Sequence, residues 1–307
     1  MLLSRIIRRA LKQFLLLTTD GPSSLIDDLL NGVRVWSLKP DSSKVLIEDG
    51  SISGTDSNYM AITQLAVSNE KVFRKFKSNR EYREILEHVN REQGKIYLEV
   101  IKRYQTLDQP AIDYIKSDYC SPFRYSYSGV GRVAPSNLRY LKVALDLRAL
   151  FGKLENLRIA EIGIGYGGQY CALSSLSSLG EYHLYDLPQV TNLTTKYLKL
   201  LGFNLNGIEL ADFRKENRNI DLVVSNYAFS ELDRKLQEIY LQNVVMHSKR
   251  GYMIYNDIIG GAFDTILLEE LVDLIPGAEI LDEFPLTHPK NRLIVWGHNP
   301  SAQLVSS

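Results

Sequence analysis

The densest chemical signal in the chain lies between residues 157 and 186. The run Leu157-Arg-Ile-Ala-Glu-Ile162 passes directly into Gly163-Ile-Gly165-Tyr-Gly167-Gly168. Glycines in such a turn let the backbone bend sharply and approach a ligand that a Cβ would hold away. Gly163, Gly165 and Gly168 have the spacing of a dinucleotide-binding turn, so the loop alone suits a dinucleotide and an S-adenosyl ligand equally. Glu161 stands two residues before the first glycine, on a strand that should be apolar. A carboxylate there is costly unless a cation or hydrogen-bond donors meet it, and a sulfonium ligand with an ammonium group offers both. Asp186 ends the next strand, where a carboxylate can accept both hydroxyls of a ribose. Leu210-Ala-Asp212 follows a third strand, and its acid is either an adenine contact or a solvated turn residue. Three acids at three successive strand ends do not follow from turn chemistry alone.

Glu161-Ile-Gly-Ile-Gly-Tyr-Gly-Gly168, Tyr185-Asp-Leu-Pro-Gln-Val190 and Asp221-Leu-Val-Val-Ser-Asn-Tyr-Ala-Phe-Ser-Glu-Leu232 together resemble class I methyltransferases. In particular they resemble the sugar O-methyltransferases of antibiotic and surface-polysaccharide gene clusters. The resemblance runs from about Tyr125 to Trp296 and includes Gly129-Val-Gly-Arg-Val-Ala-Pro-Ser-Asn-Leu-Arg-Tyr140. It implies a Rossmann-like α/β fold with a seven-stranded sheet whose last strand is antiparallel. It also implies S-adenosylmethionine as cofactor, contacted by Glu161, Gly163, Gly165, Asp186 and Asp212, with Gly167, Leu187 and Asn226 in the same strand-end turns. The acceptor it implies is a sugar hydroxyl, in surface-polysaccharide or glycosylated natural-product biosynthesis. Asp186-Leu-Pro-Gln-Val also resembles plant-type small-molecule O-methyltransferases, which makes a phenolic or other natural-product hydroxyl the second acceptor class. An NAD-dependent oxidoreductase is what the glycines alone would allow. Glu161, the single late-placed Rossmann unit and the Asn-Tyr-Ala-Phe-Ser-Glu segment speak against it.

Methyl transfer is an in-line displacement at a carbon already activated by positive sulfur, so the protein must align the acceptor and remove its proton. A sugar hydroxyl is a poor nucleophile until a base takes that proton, and the base belongs at the carboxyl ends of the strands. His288, in Thr287-His288-Pro-Lys-Asn291 before the last strand, is the first choice, histidine being the residue type most used as a general base. Asp257 and Glu231 are the others, each with a structural alternative: a strand-end turn for Asp257 and a helix cap for Glu231. Asn226 and Tyr227 are placed to bind cofactor or acceptor. Tyr125, Tyr127 and Arg132, with Arg124, lie on a Gly- and Tyr-bearing loop that could close over a sugar, whose faces suit tyrosine rings. His183 falls inside a strand and reads as a core residue. Asp257 has only the neutral Asn226 and Asn256 as neighbours at strand ends, so no metal requirement is expected.

These residues are carried by an alternation of strands and helices from about 155 to 307. Strands are expected at Leu157 to Ile162, Tyr182 to Asp186, Gly207 to Leu210, Asp221 to Ser225, Tyr252 to Asn256, Ala278 to Asp282 and Leu293 to Gly297. Helices are expected at Gly168 to Ser178, Gln189 to Leu201, Leu232 to Val245 and Ala262 to Ile275, with a short one near Phe213. Such alternation predicts a mostly parallel sheet covered on both faces. Residues 121 to 154 form a long loop and then a helix starting at a Ser136 N-cap. Residues 1 to 120 read as a mainly helical accessory region. Its periodicity is clearest from Tyr59 to Phe76 and continues over Arg80 to Asn90 and Lys95 to Tyr104, with a looser section from Lys39 to Ser57.

Lys plus Arg and Asp plus Glu number 36 each. No net field exists to hold a polyanion, which argues against nucleic acid as main substrate. Two cysteines, Cys120 and Cys171, fit a reduced, cytoplasmic protein. Met1 to Leu17 carries Arg5, Arg8, Arg9 and Lys12 among Leu, Ile and Phe. At helical spacing this makes a basic amphipathic stretch, either packed on the protein or lying peripherally on an anionic membrane surface. It is too short to span a bilayer and lacks a small-residue cleavage site. The N-terminal helices could also serve a homodimer or present the acceptor.

Overall fold

The computed structural model describes residues 21–37, 50–104, 107–206, 208–210, 219–257 and 264–305. The basic stretch Met1 to Leu17, most of the loose section from Lys39, Gly207, Asp212 and the expected helix near Phe213 lie outside the described residues. The elements are α1 Gly21–Arg34, α2 Ser57–Ser68, α3 Arg80–Ile85, α4 Arg91–Tyr104, α5 Gln109–Lys116, β1 Tyr125–Tyr127, β2 Gly131–Val133, α6 Pro135–Phe151, β3 Ile159–Ile162, α7 Gly168–Ser174, β4 Tyr182–Tyr185, α8 Pro188–Leu200, β5 Ile208–Leu210, β6 Leu222–Asn226, α9 Arg234–Asn243, β7 Gly251–Asn256, α10 Leu268–Leu274, β8 Glu279–Asp282 and β9 Asn291–Trp296.

Local chemistry sets many of the boundaries. Asp56 caps α2 by accepting from the N–H groups of Asn58 and Tyr59, and Asn79, Asp108 and Asp233 cap α3, α5 and α9 in the same way. Asn69 ends α2 and caps a further helical turn at Glu70–Phe73, so the apolar periodicity from Tyr59 to Phe76 is two helices rather than one. Ser136 is not the N-cap of α6. Pro135 occupies the first turn, where its missing N–H would have had no partner, and the cap position is Ala134. The long loop of 121–135 contains the hairpin β1–β2.

The main sheet has the order β5-β4-β3-β6-β7-β9-β8. The pairs from β5 through β7 are parallel, and β9 runs antiparallel between β7 and β8. This is the Rossmann-like α/β sheet with one reversed strand near its edge. The chain winds outward from β3 through β4 to β5, then crosses back to β6 on the other side of β3. The carboxyl ends of β3 and β6 therefore flank the point where the strand order reverses, which is where open α/β sheets bind ligands.

One apolar cluster joins Tyr59, Phe73, Phe76 and Tyr82 to Leu147 of α6, Leu184 of β4 and Leu193 of α8. A second fills the opposite face under α9 and α10. Phe76 is fully buried with its ring centroid 4.7 Å from Tyr82, 6.2 Å from Tyr166 and 6.3 Å from Tyr197. Aromatic pairs of this kind contribute about 0.5–1.5 kcal/mol each beyond burial. Lys77 adds its ammonium, 3.7 Å from the Tyr166 ring centroid and 2.8 Å from the Tyr197 hydroxyl. Tyr166 lies between Gly165 and Gly167, so this aromatic cluster fastens the segment leading into α3 to the glycine turn. A third cluster packs α4, α5 and the hairpin against α6. Among the described residues no helix is long and apolar enough to cross a membrane.

Candidate active site

The turn after β3 is built by close approach. A Cβ on Gly163 would overlap the Cβ of Ala228, and a Cβ on Gly165 would come within 3.0 Å of Leu86 in the α3–α4 loop. Both glycines have positive φ, 79° and 54°, so a side chain at either would meet strain as well as crowding. The Asp186 carboxylate accepts from the Gly165 N–H at 3.0 Å and the Leu187 N–H at 2.7 Å. Thr194 of α8 donates to the Gly165 carbonyl at 2.6 Å. The acid at the end of β4 thus braces the turn at the end of β3.

A cavity of about 670 Å³ opens above these strand ends, within the ~300–1,000 Å³ range of small-molecule sites. Gly163, Gly165, Asp186, Leu187, Asn226, Tyr227, Glu231 and His288 line it, as do Asn256 and Asn291, paired across β7 and β9. Gly167 does not; it faces Thr194 and Leu198 and begins α7.

Glu161 is also absent from the lining. Its side chain points into the core, 1% exposed, and accepts a 2.7 Å hydrogen bond from the Tyr182 hydroxyl. The donor foreseen for this carboxyl is therefore a protein group. Burial, and secondarily the Asp186 charge, push its pKa up to about 8, against the pull of the Tyr182 hydrogen bond.

The lining separates by electrostatic neighbourhood. At one end Tyr59 feels the charges of both Asp186 and Glu231. Burial alone raises the Glu231 pKa. At the other end stands Arg139 of α6, 6% exposed, its guanidinium 5.0 Å from the Tyr140 ring centroid and 6.0 Å from that of Tyr227. Among the described residues no carboxylate lies within 4 Å of it, and its Nε is buried without a hydrogen-bond partner. Asn226 holds Gln169 with its amide nitrogen at 3.2 Å, and its Oδ1 is buried without a partner. A buried cation and a buried acceptor beside one cavity suit a ligand with complementary groups.

Tyr227 is held by its backbone N–H to the Ile254 carbonyl at 2.9 Å and adopts a positive φ of 72°. Its hydroxyl donates to the buried Glu283 carboxylate. Thr287 donates to the same carboxylate at 2.7 Å, and Asn291 donates to Thr287 at 2.7 Å. This network fixes the segment that carries His288. The Lys290 N–H lies 3.2 Å from His288 Nδ1. An amide N–H can only donate, so Nδ1 is the acceptor and the neutral ring carries its proton on Nε2.

Asp257 is exposed and is not among the cavity-lining residues. The hairpin residues expected to close over an acceptor do not reach the cavity. Arg132 forms a 2.8 Å ion pair with the fully buried Asp27 of α1, the Tyr127 hydroxyl donates to the Arg91 carbonyl at 3.1 Å, and Tyr125 packs on the third apolar cluster. The hairpin is tied down by α1 and α4, which turns these side chains away from the strand ends. Sequence reasoning missed Arg139, Glu283 and His88, all at the Arg139 end or beside it. Among the described residues no group of three or more His, Cys, Asp or Glu side chains is arranged to hold a metal.

No protein-family model matches the chain, and no curated protein matches it. Solved structures do. The pyocyanin biosynthetic protein PhzM is 17% identical, with a TM-score of 0.40 over 54% of this chain and 56% of that one. The magnesium protoporphyrin IX methyltransferase of Synechocystis PCC 6803, solved with bound SAH, is 14% identical, with a TM-score of 0.39 over 52% and 80%. The mitomycin 7-O-methyltransferase MmcR is 15% identical, with a TM-score of 0.39 over 83% and 74%. The chain thus spans just over half the length of the first of these.

Proposed function

We propose that the protein is an S-adenosylmethionine-dependent O-methyltransferase whose acceptor is a sugar hydroxyl. The observation that carries the reading is a single cavity joining the Gly163–Gly165 turn, braced by Asp186, to the buried Arg139, whose Nε has no hydrogen-bond partner. The amino-acid part of the cofactor brings a carboxylate and an ammonium. Arg139 suits the carboxylate, Asn226 Oδ1 suits the ammonium, and Asp186 suits the ribose hydroxyls. When bound, the cofactor supplies a methyl group on positively charged sulfur.

The protein contributes placement and dryness. Gly163 and Gly165 let the backbone come close, Leu187 supplies an apolar wall, and α3 with its following loop covers the turn through Leu86. Gln93, Tyr97, Thr287 and Asn291 line the same cavity as Arg139. Several hydrogen-bonding groups beside the Tyr97 and Tyr227 rings suit an acceptor rich in hydroxyls. The test is methyl transfer from isotopically labelled S-adenosylmethionine to a panel of nucleotide sugars, free hexoses and simple phenols. Label in a sugar supports the reading, label in phenols alone moves the protein to the other acceptor class, and no label in any of them removes the acceptor assignment.

A further inference from the structure

The α3–α4 loop enters the cavity between two fixed points. On one side Leu86 packs on Gly165. On the other, Asn90 and Gln93 exchange side-chain to backbone hydrogen bonds of 2.9 Å in each direction, a capping box that starts α4. His88 lies between these anchors and lines the cavity. Its Nδ1 is 3.1 Å from the Ile85 carbonyl. A carbonyl can only accept, so Nδ1 carries the proton and Nε2 keeps its lone pair. The residue is exposed at the cavity rim, yet its ring is largely surrounded by protein; that burial and the nearby Arg139 charge bring its pKa down to about 4. The neutral ring is therefore the form present near pH 7.

We propose that His88 is the general base of the reaction, receiving at Nε2 the proton of the acceptor hydroxyl. The inference rests on the cavity being a methyl-transfer site. In the step the acceptor O–H bond breaks and its proton passes to His88. The freed oxygen pair forms the O–C bond to the methyl carbon as the C–S bond breaks, and the electron pair of that bond stays on sulfur, which leaves as a neutral thioether. Burial of the ring disfavours the resulting imidazolium, so His88 gives its proton up to water and is reset. His288 is set the other way: its neutral ring offers an N–H at Nε2 and can donate to an acceptor oxygen without taking its proton.

Two measurements test this together: nitrogen NMR of histidine-labelled protein at pH 7, and kinetics of His88→Ala, His88→Gln and His288→Ala with the fastest sugar of the panel. S-adenosylhomocysteine affinity of each variant is followed by calorimetry. We expect an unprotonated Nε2 at His88 and a protonated Nε2 at His288. His88→Ala and His88→Gln should lower kcat by about 10²- to 10⁴-fold, with S-adenosylhomocysteine affinity and acceptor KM within about threefold of wild type. A proton on His88 Nε2, or a kcat within about threefold of wild type in His88→Ala with affinity intact, would overturn the assignment and leave the methyltransferase reading standing. Failure of the wild type to bind S-adenosylhomocysteine would instead remove that reading and the base with it.

Discussion

Glu161 gives the sharpest quantitative prediction. Its carboxyl is 1% exposed, accepts one hydrogen bond from Tyr182, and has its pKa moved from 4.5 to about 8. At about 1.4 kcal/mol per tenfold change in proton affinity, the ligand-free folded protein holds this proton more tightly than the unfolded chain by about 5 kcal/mol. Because the folded-state pKa is the higher one, the associated stability is fully present below about pH 4.5. It is lost progressively as pH rises, and is gone once pH passes about 8. For a domain whose net stability is of the order of 5–15 kcal/mol, that is a large fraction. Urea unfolding of wild type and Glu161→Gln at intervals from pH 4.5 to 9 measures it. The stability difference between the two should change by several kcal/mol in favour of the variant as pH rises, because glutamine keeps a hydrogen-bond acceptor for Tyr182 and has no proton to lose. Tyr182→Phe should steepen the wild-type dependence by removing the hydrogen bond that favours the carboxylate. Parallel pH profiles for wild type and Glu161→Gln would refute the buried, proton-holding carboxyl.

Three further substitutions separate the turn from the ligand contacts. Gly163→Ala places a methyl group against Ala228 at a φ of 79° and should destabilise by roughly 2–4 kcal/mol, taking the left-handed strain and the overpacking together. Gly165→Ala meets the movable end of Leu86 at 3.0 Å and should be milder; chemical unfolding of both variants checks the order. Arg139→Met removes a buried cation with no carboxylate within 4 Å among the described residues, so it should leave thermal stability unchanged or higher. The same variant should weaken S-adenosylhomocysteine by about 10- to 100-fold, the worth of a charge-assisted hydrogen bond. It should leave 5′-methylthioadenosine, which lacks the carboxylate, unaffected, and calorimetry with both ligands reads the contrast.

The strands and helices of the sheet were legible because parallel, two-sided burial makes apolar runs that alternate with amphipathic helices. Each expected strand from Leu157 to Gly297 has its counterpart in β3 to β9, with ends shifted by a residue or two. What escaped was short or non-local. The three-residue strands of β1 and β2 are too brief for a period of two to stand out beside Gly129 and Gly131. The break at Asn69 hides inside an apolar pattern because the capping side chain accepts from the N–H groups of Lys71 and Val72, two and three residues on. Glu161 stands out in the sequence as an acid that needs a partner, and the structure shows one in Tyr182, 21 residues away on the neighbouring strand.

The site was half legible for the same reason. Strand-end residues such as Gly163, Asp186, Asn226 and Tyr227 reach the cavity because the strand order itself brings them there. Arg139 reads as an ordinary charged position on a helix, and its burial comes from non-local neighbours, Tyr97 of α4 and Tyr227 after β6. His88 follows a short helix with no motif around it, and the one local hint was the Asn90–Gln93 capping pattern. The hairpin tyrosines stand out by composition, yet Asp27, 105 residues before Arg132 in the chain, pairs with it and ties the hairpin to α1.

The most direct test of the central claim is calorimetric titration of the purified protein with S-adenosylmethionine, S-adenosylhomocysteine and NAD in parallel. The account predicts binding of the first two and none of NAD. Binding of NAD alone would contradict it and return the glycine turn to a dinucleotide.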